Sequence, residues 1–162
     1  MLPPKWRRKH SREGMMKTFL RFLFVALLLA AAPVFAQETP LGTWKTIDDK
    51  TGRVRSLVKI IEVNGELRGK IEKLFPQPED KANPVCDKCE GVQKDAPFLG
   101  FLLLKGFKKG VDGQLQEGEV TDPENGKTYR SRLTLLEGGK KLEVRGYIGA
   151  PIFGRSQVWA RD

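Results

Sequence analysis

The residue types that most often carry chemistry are sparse in this chain of 162 residues, and their positions narrow the reactions open to it. Its one histidine is His10. That residue sits in a basic N-terminal leader, so residues 37–162 lack the general base of Ser-His-Asp and Cys-His nucleophile systems and the imidazole of most zinc sites. Carboxylate pairs occur as Asp48-Asp49, Glu79-Asp80 and Asp122 with Glu124. Each falls in a predicted turn, where such residues serve as surface turn formers. The stretch from Gly106 to Gly113 is polar and lacks the strand-to-helix setting of a phosphate loop. Together these residues describe a non-enzyme that needs no metal and no cofactor.

Cys86 and Cys89 carry a sharper signal. In an oxidising compartment two cysteines at this spacing are joined, and a zinc site would need two further soft ligands that the chain does not have. Closing so small a loop stabilises by about 2 kcal/mol on the chain-entropy relation. The expected role is a structural staple in a proline-rich loop. Thiol-disulfide exchange is the alternative; it wants the first cysteine at a helix N-terminus, whereas Pro84 and Gly91 flank the pair.

A third set lies near the C-terminus: Arg145 and Tyr147 in one segment, then Arg155, Gln157 and Trp159 in the next. Their shared odd numbering sets them opposite Val144 and Val158 and groups them on one face. If that face lines an interior, its guanidinium forks suit a carboxylate or phosphate. The Arg-x-Tyr pair is similar to the carboxylate clamp of intracellular fatty-acid-binding barrels. The other orientation leaves these arginines in solvent, paired with Glu143 or other acids. Gly42-x-Trp44 at the start and Arg161 at the end resemble the pair that closes lipocalin-type barrels by stacking a guanidinium on an indole; the plainer reading is a tryptophan in an ordinary β core.

The elements that must position these residues are strands. Short β-branched and aromatic segments alternate with Asp, Asn and Gly turns, as in an antiparallel meander. Strands are predicted at 42–48, 53–63, 66–74, 98–105, 114–121, 127–136, 140–148 and 154–161, the number of a small closed barrel. Asn64-Gly65 supplies the positive φ angles of a tight hairpin turn. Leu142, Val144, Gly146 and Ile148 alternate with Lys141, Glu143, Arg145 and Tyr147, the pattern of a half-buried strand. Ile60-Ile61 places apolar groups on both faces, which predicts a bulge or a second packing partner. Phe98 to Leu104 is apolar on both sides and leaves room for a short buried helix. The one long irregular stretch, 75–97, holds four prolines and both cysteines, and loops of that length are usually functional or tied down.

Upstream, the basic start Met16-Lys17-Thr18-Phe19-Leu20-Arg21, the apolar run Phe22 to Ala32 and the small-residue site Val34-Phe35-Ala36 have the order of a secretory signal peptide cleaved after Ala36. The apolar run is shorter than the ~20 residues that span a bilayer. Residues 1–36 are thus expected to be leader and signal, and 37–162 a single exported domain, periplasmic or secreted. The leader carries 7 of the 29 basic and 1 of the 20 acidic residues, so the net charge falls from +9 to +3 on its removal. That modest charge, scattered and without interleaved aromatics, gives no nucleic-acid footprint.

In order and spacing, Gly42-Thr43-Trp44, Asp48-Asp49-Lys50-Thr51-Gly52, Gly69-Lys70-Ile71, Pro84 to Cys89, Asp122 to Tyr129, Arg145 to Gly149 and Gly154 to Trp159 resemble a family of small exported bacterial proteins, domain of unknown function 2147. The resemblance implies an all-β, lipocalin-like barrel of eight antiparallel strands and no established activity. The expected function is to hold a small apolar or amphiphilic, carboxylate-bearing ligand in the lumen, with Arg145, Tyr147 and Arg155 at its polar head. The alternative is an envelope structural or protein-interaction module that docks through the Cys86-Cys89 loop, and it predicts a lumen packed with side chains. A redox protein is a third reading.

Overall fold

The computed structural model describes residues 39–109, 115 and 117–162; the expected leader and cleavage site, and residues 114 and 116 of the predicted fifth strand, lie outside them. Eight strands run in chain order: β1 Gly42–Ile47, β2 Val54–Val63, β3 Glu66–Leu74, β4 Leu102–Lys108, β5 Gly118–Thr121, β6 Thr128–Leu136, β7 Lys141–Tyr147 and β8 Arg155–Arg161. Each pairs with the next, and β8 returns to β1 through Trp44 opposite Arg161 and Lys45 opposite Ala160, so the sheet closes on itself. A closed sheet has no unpaired edge to recruit another chain.

Period-2 alternation decides what faces the bore. Trp44 and Thr46 of β1 stand opposite Val58 and Ser56 of β2, and all four are buried. Leu142 and Val144 of β7 likewise stand opposite Trp159 and Gln157 of β8. Trp44, Val58, Ile60, Leu104, Phe107, Leu142 and Trp159 are each 2 % exposed or less, and their side chains fill the middle of the bore. Burying one such side chain contributes roughly 1.5–3 kcal/mol. Gly118 makes that filling feasible, because a Cβ there would lie 2.6 Å from the Phe107 ring. Thr46 and Ser56, both buried in the wall, are joined hydroxyl to hydroxyl at 2.8 Å, the usual answer to a buried polar group; the Ser131 hydroxyl is buried without an aligned partner among the described residues.

The Asn64-Gly65 turn has φ of 54° and 76° and sets the register of β2 against β3, Val63 opposite Glu66 and Lys59 opposite Lys70. Ile60-Ile61 holds no bulge: Ile60 is buried and Ile61 is 45 % exposed on the outside. The irregularities along β2 fall elsewhere: at Leu57/Val58, where β3 carries the extra residue Glu72, and opposite Thr46/Ile47, where β2 carries the extra residue Arg55. Strand β4 begins at Leu102, later than predicted, and no helix forms in Phe98 to Leu104. Phe98 and Phe101 turn inward and meet edge to face at 6.4 Å, so packing at the end of a loop accounts for the apolar run there.

Candidate functional site at the disulfide-bearing end

Strand directions gather the turns into two ends. The hairpin end holds residues 39–41, the Asn64-Gly65 turn and 137–140. The opposite end holds 48–53, the long connection 75–101, 122–127 and 148–154.

Arg161 seals the hairpin end. Its guanidinium stacks on the Trp44 ring at 4.2 Å and donates to the carbonyls of Gly139, Leu41 and Thr39 at 2.6, 3.0 and 2.8 Å. The Trp44 indole N–H donates to the Pro40 carbonyl at 2.8 Å. Gly42 leaves room for the guanidinium, since a Cβ there would come within 3.0 Å of it. Gly42, Trp44 and Arg161 therefore meet at one point, and the guanidinium is spent on structure.

The register does not bring the late-strand set together. Strands β7 and β8 pair Val144 with Gln157, Arg145 with Ser156 and Gly146 with Arg155. Gln157 and Trp159 thus share the inner face with Val144, while Arg145 and Tyr147 stand outside with Ser156 and Val158. The single donor-lined face expected from numbering is replaced by two half-sets on opposite sides of the wall. Arg145 donates to the Pro151 carbonyl and to Ser156 Oγ, both at 2.9 Å. The Arg130 guanidinium lies 5.6 Å above the Tyr147 ring. The Tyr147 hydroxyl ends against the Glu117 carboxylate, a contact that raises its pKa, without an aligned hydrogen bond among the described residues. Arg155 reaches the rim, 80 % exposed, and pairs with Asp49 at 2.5 Å. Gln157 accepts from the Trp159 indole N–H at 2.8 Å and donates to the Ile47 carbonyl at 3.3 Å, which uses both ends of its amide.

At the other end the long connection folds over the barrel and is fastened there. Cys86 and Cys89 form a disulfide, and both are buried in the core cluster with Phe101. Cys86 N–H donates to the Ala96 carbonyl and Phe98 N–H to that of Pro84, each at 2.9 Å, so 84–98 is a small hairpin of its own. Arg55 of β2 grips Asp80 through two bonds of 2.8 and 3.1 Å, and it lies 3.6 Å from Glu124 in the turn between β5 and β6. The Arg55 guanidinium and then the Gln77 N–H hold the Asp80 carboxyl below its usual range. The disulfide loop rests directly on Gly126: a Cβ at that position, with φ of 73°, would meet the Lys88 carbonyl at 2.2 Å.

Two open clefts flank this loop. One, of about 380 Å3, lies between Cys89, Glu90 and Gln93 on the loop and Thr121, Thr128 and Ile148 on the barrel. The other, of about 320 Å3, lies between Val92, Gln93, Leu99 and Phe101 on the loop and the outward residues Arg68 and Lys70 of β3. Both fall within the usual range of small-ligand sites, about 300–1,000 Å3, though near its lower bound. No bore-facing strand residue lines either cleft. Exposed large apolar side chains also collect at this end, with Val92 and Leu99 on the loop and Ile148, Ile152 and Phe153 between β7 and β8. Numbering parity pointed to the late strands and passed over Lys59, Lys70, Val92 and Leu99. The signals that mark these four are the register of the Asn64-Gly65 hairpin and two bare apolar residues in a proline-rich loop.

Among the described residues no group of three or more His, Cys, Asp or Glu side chains could hold a metal ion, and no helix is long and apolar enough to cross a membrane. A closed eight-stranded meander stapled by one short disulfide loop, with its bore end stacked shut by an arginine, defines a lipocalin-like barrel. A solved structure described as protein HP1028 from the human pathogen Helicobacter pylori, of the lipocalin family, superposes with a TM-score of 0.61 at 18% identity, covering 75% of this chain and 82% of that one. The chain itself belongs to the DUF2147 family, described as uncharacterised proteins conserved in bacteria, which matches residues 42–161. No curated protein shows significant similarity to it.

Proposed function

We propose that this protein is an exported binding protein that takes a small apolar or amphiphilic ligand at its disulfide-bearing end, outside the bore. One observation carries the reading: aromatic and aliphatic side chains occupy the middle of the bore, while both clefts lie along the Cys86-Cys89 loop and the most exposed apolar side chains among the described residues belong to connections at that same end of the barrel. The lipocalin-like architecture, which houses small-ligand binders, supports binding rather than catalysis. The apolar leader followed by Val34-Phe35-Ala36 supports export.

A photoreactive fatty amine or alcohol, crosslinked to the purified protein and mapped by peptide mass spectrometry, tests the location. Label on 92–102 or on 121–128 is the expected result. Label concentrated on Val58, Leu142 or Trp159 would move the ligand into the bore and overturn the reading, as would no saturable label at all.

A further inference from the structure

We infer that the 320 Å3 cleft between the disulfide loop and strand β3 is a site for a single-chain anionic amphiphile, with its headgroup at Lys70 and Lys59 and its chain along Leu99 and Val92. The inference rests on the proposed function and names the chemical class of its ligand.

The charge pattern comes first. Lys59 and Lys70 stand directly opposite each other on the outer face of β2 and β3, and like charges so placed repel. Arg68, two residues along the same face, already has its partner in Glu66 at 3.1 Å. The Glu66 carboxylate is occupied further by the Gly106 N–H at 3.0 Å. Among the described residues Lys59 reaches only the Thr43 hydroxyl, at 3.3 Å. Among the described residues neither lysine of the pair forms an ion pair. The remaining acid on this face of β3 is Glu72, which is exposed. A monoanion seated beside Lys70 would relieve the repulsion across the strand pair, and a neutral ligand would not.

The apolar pattern lies next to it. Lys70 pairs with Leu102 across the β3–β4 ladder, so its side chain emerges where the cleft begins. Phe101, 2 % exposed, forms the floor, and Leu99 and Val92, 59 % and 101 % exposed, form an open rim. Gln93 is held in place by its bond to the Leu102 carbonyl at 2.9 Å. A positive end and an apolar length thus adjoin within one cleft, which is complementary to a charged head on a single hydrocarbon chain. The other cleft is lined by both an acid and a base, Glu90 and Lys127, with Ile148 as its one large aliphatic side chain, and so lacks a purely positive end beside an apolar length.

Displacement of a fluorescent amphiphile by decanoate and by decanol separates the claims, and flotation with phosphatidylglycerol vesicles tells a free amphiphile from a bilayer headgroup. The expected result is that decanoate displaces the probe better than decanol and that added salt erases the difference. Lys70→Gln should weaken decanoate roughly three- to five-fold, the scale of an exposed ion pair, and leave decanol unchanged. Leu99→Asp should weaken both. Equal displacement by the two compounds, or an unchanged decanoate affinity in Lys70→Gln, overturns the anionic assignment while the proposed function stands. Failure of both compounds to displace the probe overturns the two together. Vesicle binding lost in Lys70→Gln and competed by decanoate assigns the same headgroup chemistry to a bilayer source; vesicle binding indifferent to both changes counts against the site.

Discussion

The two ends of this barrel solve one closure problem in different ways. At the hairpin end, Trp44 and Arg161 belong to paired strands, and the stacked guanidinium spends its donors on three backbone carbonyls. At the other end, closure is delegated to a loop that carries its own covalent staple and is moored by Arg55, Asp80 and Gly126. Closure from within the strands uses up the guanidinium on backbone carbonyls. Closure by a loop leaves clefts along the margins of the loop, and it is there that the open apolar surface lies.

The largest effect should come from the strand-built end. Trp44→Ala removes a fully buried indole and the platform for Arg161, and such a truncation costs about 3–5 kcal/mol. Urea denaturation should show the whole barrel losing stability in one transition. If only 39–41 loosen, the seal is dispensable and the contrast between the ends fails.

Replacing both cysteines by alanine should cost less, about 2 kcal/mol, and the loss should be local. Hydrogen exchange should quicken in 84–98 while β1, β7 and β8 keep their protection. The smallest effect concerns acid. The native Asp80 carboxyl lies below its ordinary value of about 3.9, so its stabilisation is present above that value and is lost as pH falls through the lower native one. For an ion pair this close to the surface the contribution is under about 1 kcal/mol. The difference in urea midpoint between wild type and Asp80→Asn should hold steady from pH 8 to 5 and close below about pH 4. A difference that changed near neutrality would assign the mooring to another group.

Much of the barrel was legible because its signals are local. Asn64-Gly65 dictates its own hairpin, and counting outward from that turn places Lys59 opposite Lys70 before any coordinates exist. Alternation in 141–147 gave the two faces of β7 correctly. What alternation cannot do is carry parity across a connection. Between Tyr147 and Arg155 the chain makes a 3-10 turn at Pro151–Phe153, and the resulting register pairs odd-numbered residues with even-numbered ones. Arg145 and Arg155, both odd, therefore face opposite sides. The fastening of the disulfide loop was illegible for another reason: Arg55, Asp80, Glu124 and Gly126 meet only through long-range packing, and none is unusual where it stands in the sequence.

The seam between β1 and β8 has a consequence in time. The stacked pair at its heart joins Trp44 to Arg161, so a folding chain can form successive hairpins but cannot become a cylinder until β8 reaches β1. Every shorter fragment keeps two raw edges, which are the templates on which chains self-associate. Closure therefore waits on the meeting of β8 with β1, with Arg161 acting as the latch.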